Sequence, residues 1–179
     1  MTKEQYLQEI EAVIASGKYK ANWQSLSQHK TPQWYYGAKL GIFIHWGIYS
    51  VPAFGNEWYA RSMYDPNVRE FEHHRKTYGE QKDFGYKDFI PLFRGENFDA
   101  SRWITVFRQA GAKFVLPVAE HHDGFAMYQT EFNRFNAAEM GPCVDVMGQL
   151  KAAAESQGLQ FCASTQRAAR IWHRLAGKR

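Results

Sequence analysis

The chain has 179 residues, enough for one domain with a hydrophobic core, and no stretch reaches the roughly 20 apolar residues of a membrane span. Its net charge of +4 originates at one end: residues 166–179 carry five basic and no acidic side chains, which leaves 17 basic and 18 acidic side chains in residues 1–165. Because the body of the chain is not basic, we expect neither a nucleic-acid nor a membrane partner.

The cysteines and the N-terminal residues indicate the cellular compartment in which the protein is found. Cys143 and Cys162 form no CxxC pair and no framework of bridges, which favours a reducing environment. The opening residues, MTKEQY, are polar and lead into no apolar segment typical of a signal peptide. We therefore expect a cytoplasmic protein, with a periplasmic or secreted location as the alternative if the true N-terminus is missing.

The chain begins with a predicted amphipathic helix over residues 2–16, in which apolar residues recur at helical spacing. Thr2 is a candidate N-cap and Gly17 a candidate stop signal. With the aromatic-rich approach segment that follows, this helix forms a predicted lead-in region, residues 1–38.

A short apolar run, KLGIFIHWG at residues 39–47, predicts the first strand, near residues 40–45. Since the run does not alternate with polar residues, we expect a strand buried on both faces, as in parallel barrels. Side chains at the carboxyl end of a barrel strand face the binding site, so His45 is a candidate ligand-binding residue. The alternative is a core histidine bonded to a backbone carbonyl.

The loop after this strand is rich in proline, glycine and aromatic residues, and it contains Glu57 and Trp58. Binding residues are common in such loops, so this pair is the second set of candidates, the alternative being a solvated acid beside a packed indole. The next segment, residues 65–95, is hydrophilic and predicts a long crossing connection. We expect His73 and His74 to lie on its solvated face rather than to bind a metal.

The rest of the chain predicts two helix–strand units in succession. Asp99 is a candidate cap for a helix over residues 100–110, and the next strand follows near residues 113–118. A helix at 145–157 and a third strand at 159–164 complete the pattern. Alternating helices and strands predict a parallel α/β sheet. Such a sheet fits a (β/α)8 TIM barrel, and because a whole barrel needs roughly 250 residues, residues 39–165 would then supply about its first three strands.

The most specific motif, HHDGF at residues 121–125, follows the second predicted strand. Successive side chains of a regular strand point to opposite faces, so His121 and His122 are poorly arranged to chelate one ion. Imidazoles that donate at one nitrogen and accept at the other suit the hydroxyls of a sugar, and the aromatic content of 16% permits such a site. A metal-dependent hydrolase is the alternative.

Two long motifs, GIFIHWGIYSVPAFGNEWY and AEHHDGFAMY, together resemble the family 29 glycoside hydrolases, the α-L-fucosidases. The resemblance runs from about Trp34 to about Thr165 and implies a (β/α)8 catalytic domain that hydrolyses α-L-fucosides with retention, without a metal or other cofactor. It implies that a fucose-containing glycan or fucoside is the partner, bound by His45, Glu57, Trp58, His121 and His122. Asp123 and Gly124 match the motif as well and are expected to support the pocket.

The resemblance also bears on turnover. Family members use an aspartate nucleophile and a second carboxylate as acid and base, both on elements later than the third strand. Glu57, Asp123 and Asp145 match neither, so we expect no catalytic residue in this chain and take the chain to end before both carboxylates. The alternative function is an inactive sugar-binding remnant.

The basic segment 166–179 departs from the family pattern, which would continue with aromatic and acidic residues. An acid-free run at the mouth of a predicted strand indicates a change of reading frame followed by an early stop. The alternative is a genuine basic helix that binds an anionic partner.

Overall fold

The computed structural model describes residues 2–166. The basic segment predicted at 166–179 therefore lies outside the described residues except for Gln166, and both interpretations of it stay predictions. Within 2–166, no helix is long and apolar enough to cross a membrane. The chain divides after Gly37 into two compact units.

The first unit contains three helices: α1 at Lys3–Ser16, α2 at Trp23–Leu26, and α3 at Gln33–Ala38, whose last residue begins the second unit. The side chain of Thr2 accepts a hydrogen bond from the backbone N–H of Gln5, and Gly17 follows the last turn. Both signals of the predicted first helix are thus confirmed.

The second unit carries the sheet and four further helices. Its strands are β1 at Gly41–Ile44, β2 at Phe114–Glu120, β3 at Gln160–Phe161 and β4 at Ser164–Thr165. Its helices are α4 at Tyr59–Ser62, α5 at Arg69–Tyr78, α6 at Ala100–Gln109 and α7 at Val146–Ser156, with short 3₁₀ helices at Ile48–Ser50 and Tyr86–Leu92.

The strands are parallel and lie in the order β1-β2-β3, with β4 also paired to β2. The predicted parallel α/β sheet is confirmed. The third strand is not continuous as predicted: it is interrupted at Cys162 and Ala163, and the pairing of β2 shifts between Val118 and Glu120. This irregularity places Gln166 where its N–H donates to the Glu120 carbonyl, 2.8 Å away.

Both crossover helices begin where the sequence predicts. Asp99 accepts from the N–H of Arg102 at 2.9 Å, and Asp145 accepts from the N–H of Gly148 at 2.7 Å, so each carboxylate caps its helix. Helices α6 and α7 pack against each other and against the sheet. Their buried side chains, Ile104 and Leu150, share one hydrophobic core with Val115 of β2.

Strand β1 is not buried on both faces, contrary to the prediction. Ile42 and Ile44 pack on the core beneath the helices, whereas Phe43, on the opposite face, is 52% exposed. Side chains alternate along a strand, and the helices cover one face of β1 only. An apolar run does not reveal by itself which face a neighbour covers.

The segment 65–95 is also more ordered than predicted. It contains α5 and the second 3₁₀ helix, and His74 is completely buried instead of solvated. The Nε2 of His74 lies 2.8 Å from the Phe84 carbonyl, which makes it the donor, so Nδ1 accepts from the hydroxyl of Tyr59 at 3.2 Å. His73 stacks on Phe54. The sequence around His74 is rich in charged residues, so the pattern did not reveal that α5 has a buried face.

We expect Leu150→Ala to lower the free energy of unfolding by about 2–5 kcal/mol, since the side chain is 1% exposed and its removal leaves a cavity between α7 and the sheet. Urea unfolding of the full chain measures this. Leu7→Ala on α1, where the side chain is 49% exposed, is the matched control and should cost far less. Equal losses of unfolding free energy in the two variants would show that packing of α7 on the core contributes no extra stability.

Candidate functional site

The site begins where β1 ends. The register aligns Ile44 with Pro117 of β2, so the residues that follow the two strands emerge at the same edge of the sheet. His45 is exposed there, and its ring lies 5.6 Å from that of His121. Parallel pairing thus joins two histidines that are 76 positions apart in the sequence.

The HHDGF motif forms a tight turn at the end of β2. The N–H of Gly124 donates to the carbonyl of His121 at 3.0 Å, and Gly124 takes a φ of 78°, which glycine adopts without strain. The chain then folds back, and Met127 N–H donates to the Ala119 carbonyl at 2.8 Å. As a result His121 is buried while His122 is only half-buried.

The loop that precedes α4 brings the third part of the site. Asn56 accepts from the N–H of Trp58 at 2.9 Å, which fixes the backbone at this position. The indole of Trp58 then stacks on His122, with ring centroids 4.5 Å apart and planes at 22°. Further back, Phe54 stacks on His73 at 3.7 Å and ties the loop to α5.

Glu57 completes the group. One ligand-type atom from each of His45, Glu57 and His121 lies within 4.8 Å of the other two. The structure therefore brings together every residue predicted for the pocket: His45, Glu57, Trp58, His121 and His122. Their role in binding stays a prediction.

The electrostatics favour a neutral imidazole at the centre. Burial lowers the pKa of His121 to about 4, and repulsion from His122 and His45 acts in the same direction, against a smaller opposing effect of Glu57. At neutral pH His121 is uncharged, so it offers one donor and one acceptor. Its Nδ1 has no hydrogen-bond partner among the described residues.

Asp123 is a support of the turn and not an exposed acid. The carboxylate is 2% exposed, accepts from the hydroxyl of Tyr86 at 2.8 Å, and accepts from the N–H of Phe125 at 3.1 Å. Burial raises its pKa to about 6, although both hydrogen bonds act in the opposite direction. With both oxygens bonded and no access to solvent, this carboxylate is not placed to attack a substrate.

Two tyrosines of the site were missed by sequence reasoning. Tyr86 lies in the segment taken as a hydrophilic crossing, although the spacing of Tyr86, Phe89 and Ile90 is an amphipathic signal that could have revealed it. Tyr49 lies in the short 3₁₀ helix after the first strand, and its ring lies 5.2 Å from that of His121. Burial raises the pKa of Tyr49, with Asp123 and Glu57 adding to the effect, so it stays a neutral hydroxyl.

A sequence model described as alpha-L-fucosidase matches residues 6–175. The chain belongs to the alpha-L-fucosidase family. This confirms the resemblance that the two motifs indicated, and the match extends beyond both ends of the range 34–165 on which it rested.

Curated relatives agree with the family. An alpha-L-fucosidase of Dictyostelium discoideum is 36% identical over 157 residues, covering 83% of this chain and 34% of that protein. Plasma alpha-L-fucosidase of Homo sapiens is 35% identical over 137 residues, covering 76% of this chain and 29% of that protein. The chain thus spans about a third of the length of the curated relatives it matches.

Solved structures show the same relationship. The alpha-fucosidase of Thermotoga maritima, solved in complex with fucose, is 40% identical with a TM-score of 0.79, covering 84% of this chain and 38% of that one. Isoenzyme 1 of the alpha-L-fucosidase from Paenibacillus thiaminolyticus is 26% identical with a TM-score of 0.59, covering 74% and 28%. The fold of this chain is therefore that of the corresponding part of these enzymes.

We expect Tyr86→Phe to lower the free energy of unfolding by about 1.5–3 kcal/mol, because it removes the hydroxyl that donates to the buried carboxylate of Asp123 while keeping the ring. Urea unfolding measures the loss, and Tyr36→Phe, at an exposed tyrosine of α3, is the control. If both variants unfold alike, the hydrogen bond does not support the turn.

A pH dependence follows from the lowered pKa of His121. An unfolded histidine binds a proton at about pH 6.5, whereas this one does so only near pH 4, so stability present above pH 6.5 is lost as the pH falls. Between pH 7 and pH 5 we expect the natural chain to lose up to about 2 kcal/mol more than His121→Gln, measured by urea unfolding at both pH values.

Asp123 acts in the opposite direction, since its raised pKa favours the folded state on acidification, but it is present in both proteins and cancels in the comparison. Parallel pH profiles for the two proteins would contradict the prediction.

Proposed function

We propose that this chain is the fucose-recognising part of a retaining α-L-fucosidase-type glycoside hydrolase. The observation that carries the proposal is the convergence of five predicted pocket residues, His45, Glu57, Trp58, His121 and His122, at the carboxyl ends of β1 and β2. A structural relative solved with fucose supports the choice of sugar.

The chemistry of the pocket suits a monosaccharide. A neutral His121 donates and accepts hydrogen bonds, and the carboxylate of Glu57 accepts them from hydroxyls. The indole of Trp58 offers a plane against which the apolar face of a sugar ring packs. The stacking of Trp58 on His122 orients both rings before the ligand arrives, which lowers the cost of ordering them.

We also propose that the sheet belongs to a (β/α)8 barrel. Three features support this: strand order follows chain order, all pairs are parallel, and the crossover helices α6 and α7 contact each other over one core. A barrel carries its helices on one side of the sheet, whereas a doubly wound sheet carries them on both. The exposed side of Phe43 would then face the barrel interior.

Hydrolysis itself needs more than these residues offer. A retaining glycosidase uses two carboxyl groups about 5–5.5 Å apart. Asp123 has both oxygens bonded, and Asp145 caps α7, so neither is free to act on a sugar. This observation favours the second candidate, a sugar-binding protein without turnover.

For binding, we expect Trp58→Ala to weaken L-fucose affinity at least tenfold, about 1.4 kcal/mol, because it removes the packing plane and releases His122. Isothermal titration of the 179-residue chain with L-fucose measures the change. Trp23→Ala, at an indole that is 83% exposed, is the matched control and should leave the affinity unchanged. Unaltered fucose affinity in Trp58→Ala would remove the pocket assignment.

The two candidate functions are separated by turnover. If the chain binds L-fucose but releases no aryl alcohol from an aryl α-L-fucoside, the sugar-binding candidate holds. If release is lost in Glu57→Gln while that variant still binds L-fucose, and is kept in Glu131→Gln, an exposed acid, the chain hydrolyses fucosides and contains a catalytic carboxylate.

A further inference from the structure

We propose that His45, Glu57 and His121 form a binding site for Zn²⁺, and that the ion and a fucoside exclude each other from the pocket. The competition with a fucoside rests on the proposed function, whereas the zinc site does not. The sequence predicted no metal because the adjacent pair His121–His122 is poorly placed to chelate, but the metal-binding set seen in the fold combines residues from three separate elements.

The geometry of the three side chains is close to that of a zinc site. Two imidazole nitrogens and a carboxylate oxygen lie within 4.8 Å of one another. In a tetrahedral site with bonds of about 2.0–2.1 Å, ligand atoms are about 3.4 Å apart, so shifts of roughly 1 Å bring them into place. Three protein ligands with one open position are the arrangement of accessible zinc sites in enzymes.

The anchoring of the ligands also favours an ion. His121 is 4% exposed and is held by the turn at Gly124, yet its Nδ1 has no partner among the described residues. A buried polar atom without a hydrogen bond costs free energy, which a ligand for it would recover. His45, at the open edge, can adjust to the ion without disturbing the core.

The groups around the site suit a cation. His122 lies beside His121, with ring centroids 5.1 Å apart. Tyr49 and Glu57 also face this group, and Glu57 supplies the negative charge that offsets that of the cation. The cation therefore meets one acidic ligand and two imidazoles.

The donor set selects the class of ion. Imidazole nitrogens suit Zn²⁺ and its transition-metal neighbours, whereas Mg²⁺ and Ca²⁺ require six or more oxygen ligands. The same nitrogens and oxygen are the groups that would bond sugar hydroxyls. Occupation by the ion therefore removes the hydrogen-bonding partners of the sugar.

The test is calorimetric titration of the chelator-treated 179-residue chain with ZnCl₂ at pH 7.5, with MgCl₂ as the ionic control. We expect one equivalent of Zn²⁺ to bind and Mg²⁺ not to bind. Glu57→Gln and His45→Gln should each weaken Zn²⁺ at least tenfold, and neither side chain is part of the core. His29→Gln and Cys143→Ser, which alter exposed potential ligands elsewhere, should bind Zn²⁺ as the natural chain does.

The outcomes test the zinc site and the exclusion of the sugar separately. Absence of Zn²⁺ binding, or binding unaffected by both Glu57→Gln and His45→Gln, overturns the zinc site. If Zn²⁺ binds through these residues, a fucose titration at saturating Zn²⁺ should show at least tenfold weaker binding, and unchanged affinity overturns the exclusion. If fucose fails to bind with or without Zn²⁺, the zinc site stands while the proposed function and the exclusion fall.

Discussion

The parallel pairing of β1 with β2 is the interaction on which the site depends. It aligns Gly41 with Phe114 and Ile44 with Pro117, so both strands run toward the same edge of the sheet, where the histidines that follow them, His45 and His121, become neighbours. The approach is close: a side chain at position 41 would overlap the ring of Phe114, which explains glycine at the start of the strand. Without this register His45 and His121 would share no pocket.

Packing behind the candidate site orients the side chains that meet at the strand ends. The loop carrying Glu57 and Trp58 is tied to α5 through Phe54 and His73, while the hydroxyl of Tyr59 bonds buried His74. None of these supporting contacts involves the open edge of the sheet. A pocket whose side chains are ordered in advance spends less of its binding free energy on immobilising them.

Burial shifts the pKa values of the two titrating groups of the turn in opposite directions. It favours the neutral form of His121 and raises the pKa of Asp123 to about 6, because a charge of either sign is poorly solvated there. Asp123 keeps its position through the hydroxyl of Tyr86 and the N–H of Phe125. The motif therefore combines a neutral imidazole with a buried carboxyl group that holds the turn.

Local signals in the sequence determined the helix cap at Asp99, the start of the next helix to within one residue at Asp145, the order of the two helix–strand units, and the family. Each depends on neighbouring residues or on two contiguous motifs, so no knowledge of packing was needed. The five pocket residues were also found from the motifs, because strand ends of a parallel sheet meet at one edge.

Tertiary structure alone decided which groups are covered and which meet across the chain. Burial of His74 in a charged segment, the exposed face of Phe43 and the break in the third strand all depend on distant neighbours. So does the distance of at most 4.8 Å between the potential ligand atoms of His45, Glu57 and His121, whose side chains come from three elements. Sequence patterns report the periodicity of one element, whereas burial and ligand geometry arise from contacts between elements that are far apart in the chain.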